Sequence, residues 1–279
     1  MKKAMFIFGL MFAICAFSQT VYAEEKEIQS GKPWKKFSIS VGGFVNAMDS
    51  SVRLGTKNVG IEVDVEDALG FDTTTAVFRI NTFWRFKKNL RHRVDLNWFA
   101  IRRDGSKTLI EDFEIGDTVF PVNTVIESNF DIDVIRAAYS YSFFQDDRMD
   151  LAVAGGLFIM PISFKISASG VFEGEENTDI TAPLPTLGVR FDFSITPKWL
   201  LRNHFDIFYL QISDFKGGIM SFGSAIEWLP FKHVGFGFGI DSFRLGVEAE
   251  NDDNYPGVDF SGNIKFNYFG AVLYVKAFF

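Results

Sequence analysis

Along much of the chain, apolar and polar residues alternate with a period of two. In Phe78–Phe86, the side chains Phe78, Ile80, Trp84 and Phe86 alternate with Arg79, Asn81 and Arg85. In Arg93–Ala100, Val94, Leu96, Trp98 and Ala100 alternate with Arg93, Asp95 and Asn97. The same beat recurs in Gly188–Ile195 and in Val234–Asp241, where Gly235, Gly237 and Gly239 take the polar positions. Successive side chains of an extended strand point to opposite faces, so each segment is predicted as a strand with one oily face and one polar or very small face. Ten such strands are expected, at about residues 37–48, 75–86, 92–103, 128–143, 150–166, 184–195, 199–212, 218–229, 234–247 and 262–279. Alternating stretches within 49–74 and 104–127, such as Ile61, Val63 and Val65 against Glu62, Asp64 and Glu66, leave eight or twelve strands open. The fourth strand is irregular: Phe130, Ile132 and Val134 share one parity, and Ile135, Tyr139 and Tyr141 the other. A β-bulge near Val134 is expected from that switch.

A soluble sandwich also alternates, so the linkers matter. Tight turns at Lys87–Arg91, Gln145–Arg148, Thr196–Lys198 and Pro230–His233 alternate with links that are mostly longer and acidic. Outer-membrane barrels have short periplasmic turns and longer outer loops, and about 9–11 tilted residues carry a strand across. The polar faces carry Arg, Asp and Gly, which suits an enclosed interior better than a solvated surface. An even, antiparallel set closes without a bare edge, which lipid requires. The expected fold is therefore all-β: a closed, antiparallel, up-and-down transmembrane β-barrel spanning 37–279.

The remaining segments fit that destination. Lys2 and Lys3, the apolar run Ala4–Phe17 and the small-x-small end Val21-Tyr22-Ala23 make a secretory signal peptide, so 1–23 is expected to be cleaved. Its apolar run is shorter than the roughly 20 residues of a spanning helix. Cleavage removes Cys15, the one cysteine of the chain, which excludes a disulfide framework or a cysteine nucleophile in the mature form. Residues 24–36 are read as a periplasmic N-terminal segment. Phe is abundant, at 34 residues, yet no later stretch forms a helical span, which again favours strands with one apolar face. A net charge of −7 argues against nucleic acid as a partner.

The last strand offers Ala271, Leu273, Val275, Ala277 and Phe279 on one face. A final strand ending in Phe279 resembles the assembly signal of Gram-negative outer-membrane proteins, although Ala277 stands where an aromatic is usual. That resemblance implies the barrel-assembly machinery as a partner during biogenesis. The stretches Arg103–Leu109, Phe113–Pro121 and Tyr139–Phe143 resemble a poorly characterised group of outer-membrane barrel proteins, which implies a barrel fold and little about activity.

Parity assigns Arg79, Arg85, Arg93, Asp95, Arg136, Arg190, Asp192, Arg202, His204, Asp206, Glu227 and Asp241 to the lumen. Such groups either pair into a polar core or line a water-filled path. Gly235, Gly237 and Gly239 either open one side of the lumen or pack closely against opposing side chains. His204 and Asp206 share a face beside Arg202, and an Asp can orient and charge a His. The expected strand number is similar to that of the omptin-type outer-membrane proteases, which use an acid–His pair. The order here is His-x-Asp, about six residues above a short turn, too deep for a protein substrate. Trp84, Trp98, Trp199, Tyr209 and Trp228 are expected in aromatic girdles. The acidic links hold Glu62, Asp64, Glu66 and Asp67; Glu111, Asp112, Glu114 and Asp117; Glu173, Glu175, Glu176 and Asp179; and Glu248, Glu250, Asp252, Asp253 and Asp259. They are read as the outer rim, either holding divalent cations toward lipopolysaccharide or simply solvated, since no loop shows calcium-ligand spacing. The leading expectation is a narrow channel or passive pore in the bacterial outer membrane, without cofactor, metal site or catalytic residue. The alternatives are a non-conducting barrel that meets lipopolysaccharide, ions or a partner through its rim, and a barrel hydrolase.

Overall fold

The computed structural model describes residues 33–54, 63–64, 66, 69–110, 112–115, 118–169, 174–212, 215–249 and 262–279. The expected signal peptide, Cys15 and most of segment 24–36 lie outside the described residues, as do Glu62, Asp67, Glu111, Asp117, Glu173, Glu250, Asp252, Asp253 and Asp259.

The strands are β1 (Phe37–Leu54), β2 (Val63–Asp64), β3 (Thr74–Phe86), β4 (His92–Thr108), β5 (Phe113–Ile115), β6 (Thr118–Phe120), β7 (Val125–Gln145), β8 (Met149–Ser169), β9 (Gly174–Thr196), β10 (Trp199–Ile212), β11 (Phe215–Trp228), β12 (Val234–Ala249) and β13 (Gly262–Phe278). The long strands β1, β3, β4 and β7–β13 pair in sequence order. Pairing of β1 with β13, from Ser38 opposite Phe278 to Leu54 opposite Gly262, then closes an antiparallel barrel of ten strands. The closure extends past the strand ends, where Phe279 N donates to Phe37 O at 2.9 Å and Lys36 N to Phe279 O at 2.7 Å. Every barrel strand thus has two neighbours, which meets the demand that lipid places on backbone N–H and C=O groups.

The turns at 87–91, 146–148, 197–198 and 229–233 lie at the end that carries Phe37 and Phe279. By the turn-length rule this is the periplasmic end. At the opposite end the strands run further than the sequence pattern indicated. β7 and β8 have 21 residues each and β9 has 23, about twice the crossing length. Glu175, Glu176 and Asp179, expected in an outer link, therefore fall within β9. The barrel stands well above the bilayer.

That overshoot explains the irregular fourth strand. β7 alternates without interruption from Val125 to Ser142: Ile126, Phe130, Ile132, Val134, Arg136 and Ser140 all face inward, and Tyr139 and Tyr141 face outward. The expected bulge near Val134 does not occur; an irregularity in this strand lies instead between Ser142 and Phe144. What changes near Val134 is the surroundings of the wall. Lower down, the outward face meets lipid and is apolar. Higher up it meets water, carrying Asp131 and Asp133, so the apolar residues turn to the inside.

Other strands reverse at the same level. Val94 and Leu96 of β4 face outward, whereas Phe99 and Ile101 are buried inside and Arg102 is exposed. In β12, Phe236, Phe238 and Ile240 face outward, then Phe243 and Leu245 are buried and Arg244 is exposed. In β13, Leu273 and Phe269 face outward, Tyr268 and Phe266 inward, and Lys265 is exposed.

Candidate functional site

The lumen divides into three storeys. At the periplasmic end, just before β1, Trp34 is 3% exposed and packs with Leu200, Leu229 and Phe278. Its Nε1 donates to Asp146 O at 2.6 Å, and the Arg85 guanidinium lies 5.6 Å from its ring. This ring sits inside the periplasmic end of the barrel.

Above it lies the charged storey. β3 projects Arg79 and Arg85 inward, β4 Arg93 and Asp95, β7 Arg136, β9 Arg190 and Asp192, β10 Arg202, His204 and Asp206, β11 Glu227, and β12 Asp241. The structure brings nearly all of them into direct ion pairs. Asp192 lies 2.6 Å from Arg190 and 3.3 Å from both Arg85 and Arg93. Arg93 also donates to Asp95. Arg136 grips Asp206 through Nε at 2.9 Å and Nη2 at 2.8 Å. Arg79 meets Asp241 at 2.7 Å, and the Tyr268 hydroxyl donates to the same carboxylate at 2.6 Å. Arg202 Nε lies 2.8 Å from Glu227. Mutual pairing is what makes so many buried charges tolerable, because each unpaired one would carry a large desolvation penalty.

Four members of this network were not singled out from the sequence. Asp150, at the start of β8, takes Arg85 at 2.5 Å and Arg190 at 3.1 Å. Lys276 of β13 reaches Glu227 at 2.7 Å, and Tyr274 donates to Glu227 at 2.9 Å. Phe83 points inward among the cations, with Arg93 at 4.1 Å, Arg202 at 4.9 Å and Lys276 at 5.2 Å from its ring centre. Parity held the signal for three of them: Lys276 and Tyr274 sit opposite the oily face of the last strand, and Phe83 shares the face of Arg79 and Arg85.

His204 does not form an acid–base pair with Asp206, whose two oxygens are both held by Arg136. Its ring instead lies against Gly223 of β11, the residue paired with it across the strands, and a Cβ there would overlap the ring. Gly237 is covered by the Tyr274 ring in the same way, while Gly235 abuts Leu229 and Gly239 abuts the β11 backbone. These glycines are close-packed and open no channel. A cavity of about 160 Å³ remains in this storey, lined by Arg79, Asp95, Asn97, Arg136, His204, Ser221 and Asp241 among others.

The upper storey is mainly apolar, with Asn46, Ser50, Ser128, Arg103 and Glu66 as buried polar groups. Phe44, Val77, Phe99, Ile101, Ile132, Met160, Phe243 and Phe266 are buried in one cluster with Leu69 and Phe71 of the β2–β3 link. Phe44 meets Phe99 edge-on at 5.4 Å, and Phe243 stacks on Tyr268 at 5.5 Å. The link is drawn into the mouth by Glu66, which accepts from Ser50 N at 2.9 Å and lies 2.7 Å from Arg103 Nη1. Glu66 is thereby removed from the outer rim, where the sequence had placed it. Gly70, at φ 71°, turns the link against Ser106 O, a place with no room for a side chain.

On the outer surface, Trp84, Trp199 and Trp228 are exposed near the periplasmic turns, with Trp199 stacked on Trp228 at 6.0 Å. Tyr209 is exposed at the upper edge, and Trp98 there donates Nε1 to Asp133 at 3.0 Å. Trp199 and Tyr209 are ten residues apart on β10. At about 3.3 Å per residue and a tilt of about 40°, that spans about 25 Å, the height of a lipid-facing band. Phe279 is exposed and stacks on His233 at 5.0 Å.

A closed barrel with this apolar belt is an outer-membrane β-barrel. Among solved structures, the chain is similar to the outer membrane protease OmpT from Escherichia coli, with a TM-score of 0.56 at 8% identity over 91% of this chain and 100% of that one. Lower scores link it to the transport unit of the autotransporter AIDA-I from Escherichia coli (TM-score 0.41, 10% identity, 92% of each chain). They link it also to the attachment invasion locus protein Ail of Yersinia pestis (TM-score 0.36, 12% identity, 87% of this chain and 98% of that one). At 8% identity the OmpT likeness speaks for the fold alone. No protein-family model matches the chain, and a comparison with curated proteins gives no match.

Proposed function

We propose that this protein is a non-conducting outer-membrane barrel, a rigid wall that carries an extracellular rim for contact with a partner. The observation behind this reading is a pair of buried clusters that bracket the charged storey: Trp34 with its apolar neighbours below, and the Phe-rich cluster with Leu69 and Phe71 above; we read them as two seals. Ions crossing such a lumen would have to shed water into a mainly apolar storey. Strands carried far beyond the bilayer, with polar outer and apolar inner faces, supply a stable platform for loops. The paired charges of the middle storey serve as a polar core between the seals.

A gated pore is the second reading, and the cavity of about 160 Å³ favours it, since moving both seals would join that space to the two sides. Planar-bilayer recording on purified, reconstituted protein separates the two. A silent bilayer that stays silent under applied voltage supports the closed barrel, and discrete conductance steps overturn it.

A further inference from the structure

We propose that the β3–β4 turn and the wall directly above it form a binding site for the headgroup of an anionic phospholipid in the periplasmic leaflet. The turn reads Lys87-Lys88-Asn89-Leu90-Arg91, and both lysines are exposed. Its shape is held from within. Buried Arg85 donates to Leu90 O at 3.1 Å, Ser142 N donates to Arg91 O at 2.8 Å, and Lys87 and Leu90 adopt φ of 66° and 56°. Non-glycine residues persist in that left-handed region where surrounding contacts fix them.

Directly above, on the lipid face, His92 and Tyr139 meet through Nδ1 and the hydroxyl at 2.7 Å, and the Phe86 ring lies 5.4 Å from His92. In the tautomer whose Nδ1 accepts from the tyrosine, Nε2 is the N–H donor of the ring. Amphipathic rings at this depth mark the headgroup level, and clustered cations beside them attract anionic lipid. In the neighbouring turn the Asp146 carboxylate accepts from the Arg148 and Met149 N–H groups, which fixes it within its own turn.

Native mass spectrometry of the protein released from nanodiscs of mixed phosphatidylglycerol and phosphatidylcholine tests the site. Wild type should retain phosphatidylglycerol preferentially. The variant Lys87→Gln/Lys88→Gln/Arg91→Gln should lose that preference by about fivefold for each cation removed, while Lys198→Gln, in another turn, should keep it. Heat-modifiable gel migration confirms that each variant is folded, and Tyr139→Phe should weaken retention without removing the charges. Equal retention of the two lipids by wild type, or an equal loss in Lys198→Gln, would overturn the proposal. So would displacement of the lipid by excess inorganic phosphate, which would identify a free-phosphate site.

Discussion

Arg136 and Asp206 face each other across the barrel interior fork to fork, with guanidinium Nε and Nη2 at 2.9 and 2.8 Å from the two carboxylate oxygens. β7 and β10 supply them, and neither strand pairs with the other. The contact therefore ties together two walls that are separated by β8 and β9. Truncating one partner leaves a buried charge, so Asp206→Ala should cost about 3–5 kcal/mol of folding stability. Joint replacement by apolar residues, Arg136→Met with Asp206→Leu, should come within about 1 kcal/mol of wild type. Urea titration in lipid vesicles, followed by tryptophan emission, measures both.

The close seating of His204 on Gly223 gives a second test. Gly223→Ala should destabilise by about 1–3 kcal/mol through overpacking. In a His204→Ala background the added methyl has room, so the double variant should recover most of that loss. An unchanged penalty in the double variant would show that the histidine ring is not what the methyl meets.

Reversal of the wall at the outer leaflet makes neighbouring strand positions differ sharply. Leu273, exposed in the middle of the lipid-facing band, should cost about 2–4 kcal/mol when replaced by Arg. Arg244→Leu, above the band, should change stability by less than about 0.5 kcal/mol. Ile132→Asp places a charge in the mainly apolar upper storey and should prevent folding or cost several kcal/mol. Folding yields into vesicles rank the three.

The two seals should be separable. Trp34→Ala should admit water-soluble thiol reagents to a cysteine placed at Ser140, a cavity-lining position, in a background lacking Cys15. The same variant should remain electrically silent because the upper storey is intact. Conductance should appear when Trp34→Ala is combined with Leu69→Ala and Phe71→Ala. Steps from Trp34→Ala alone would mean that the upper storey does not seal.

Period two made the strands legible from sequence, and turn chemistry set their number. Ranges for β3, β10 and β12 lie within two residues of those expected. The charged residues on the polar faces of β3, β4, β9 and β10 fall in the lumen for the same geometric reason. The extension of β7, β8 and β9 above the bilayer was not legible, because there the alternation keeps its beat while its meaning reverses. Apolar residues at Phe130–Val134 look like a slipped register when the wall is assumed to meet one solvent throughout. Trp34 was hidden for another reason: a lone aromatic in a polar, charged segment carries no periodic signal, and its partners are far away in the chain, Leu200 in β10, Leu229 in the turn after β11 and Phe278 at the end of β13. Asp150 was hidden by its place beside a turn, where acids are ordinarily solvated.

Spin labels placed one at a time from Phe236 to Leu245 on β12 test the reversal of the wall most directly, by comparing their accessibility to dissolved oxygen and to a water-soluble nickel chelate. Labels at Phe236, Phe238 and Ile240 should be reached by oxygen, a label at Arg244 by the chelate, and labels at Phe243 and Leu245 by neither. Free access of the chelate to positions 243 and 245 would mean a water-filled upper lumen and would contradict the closed barrel.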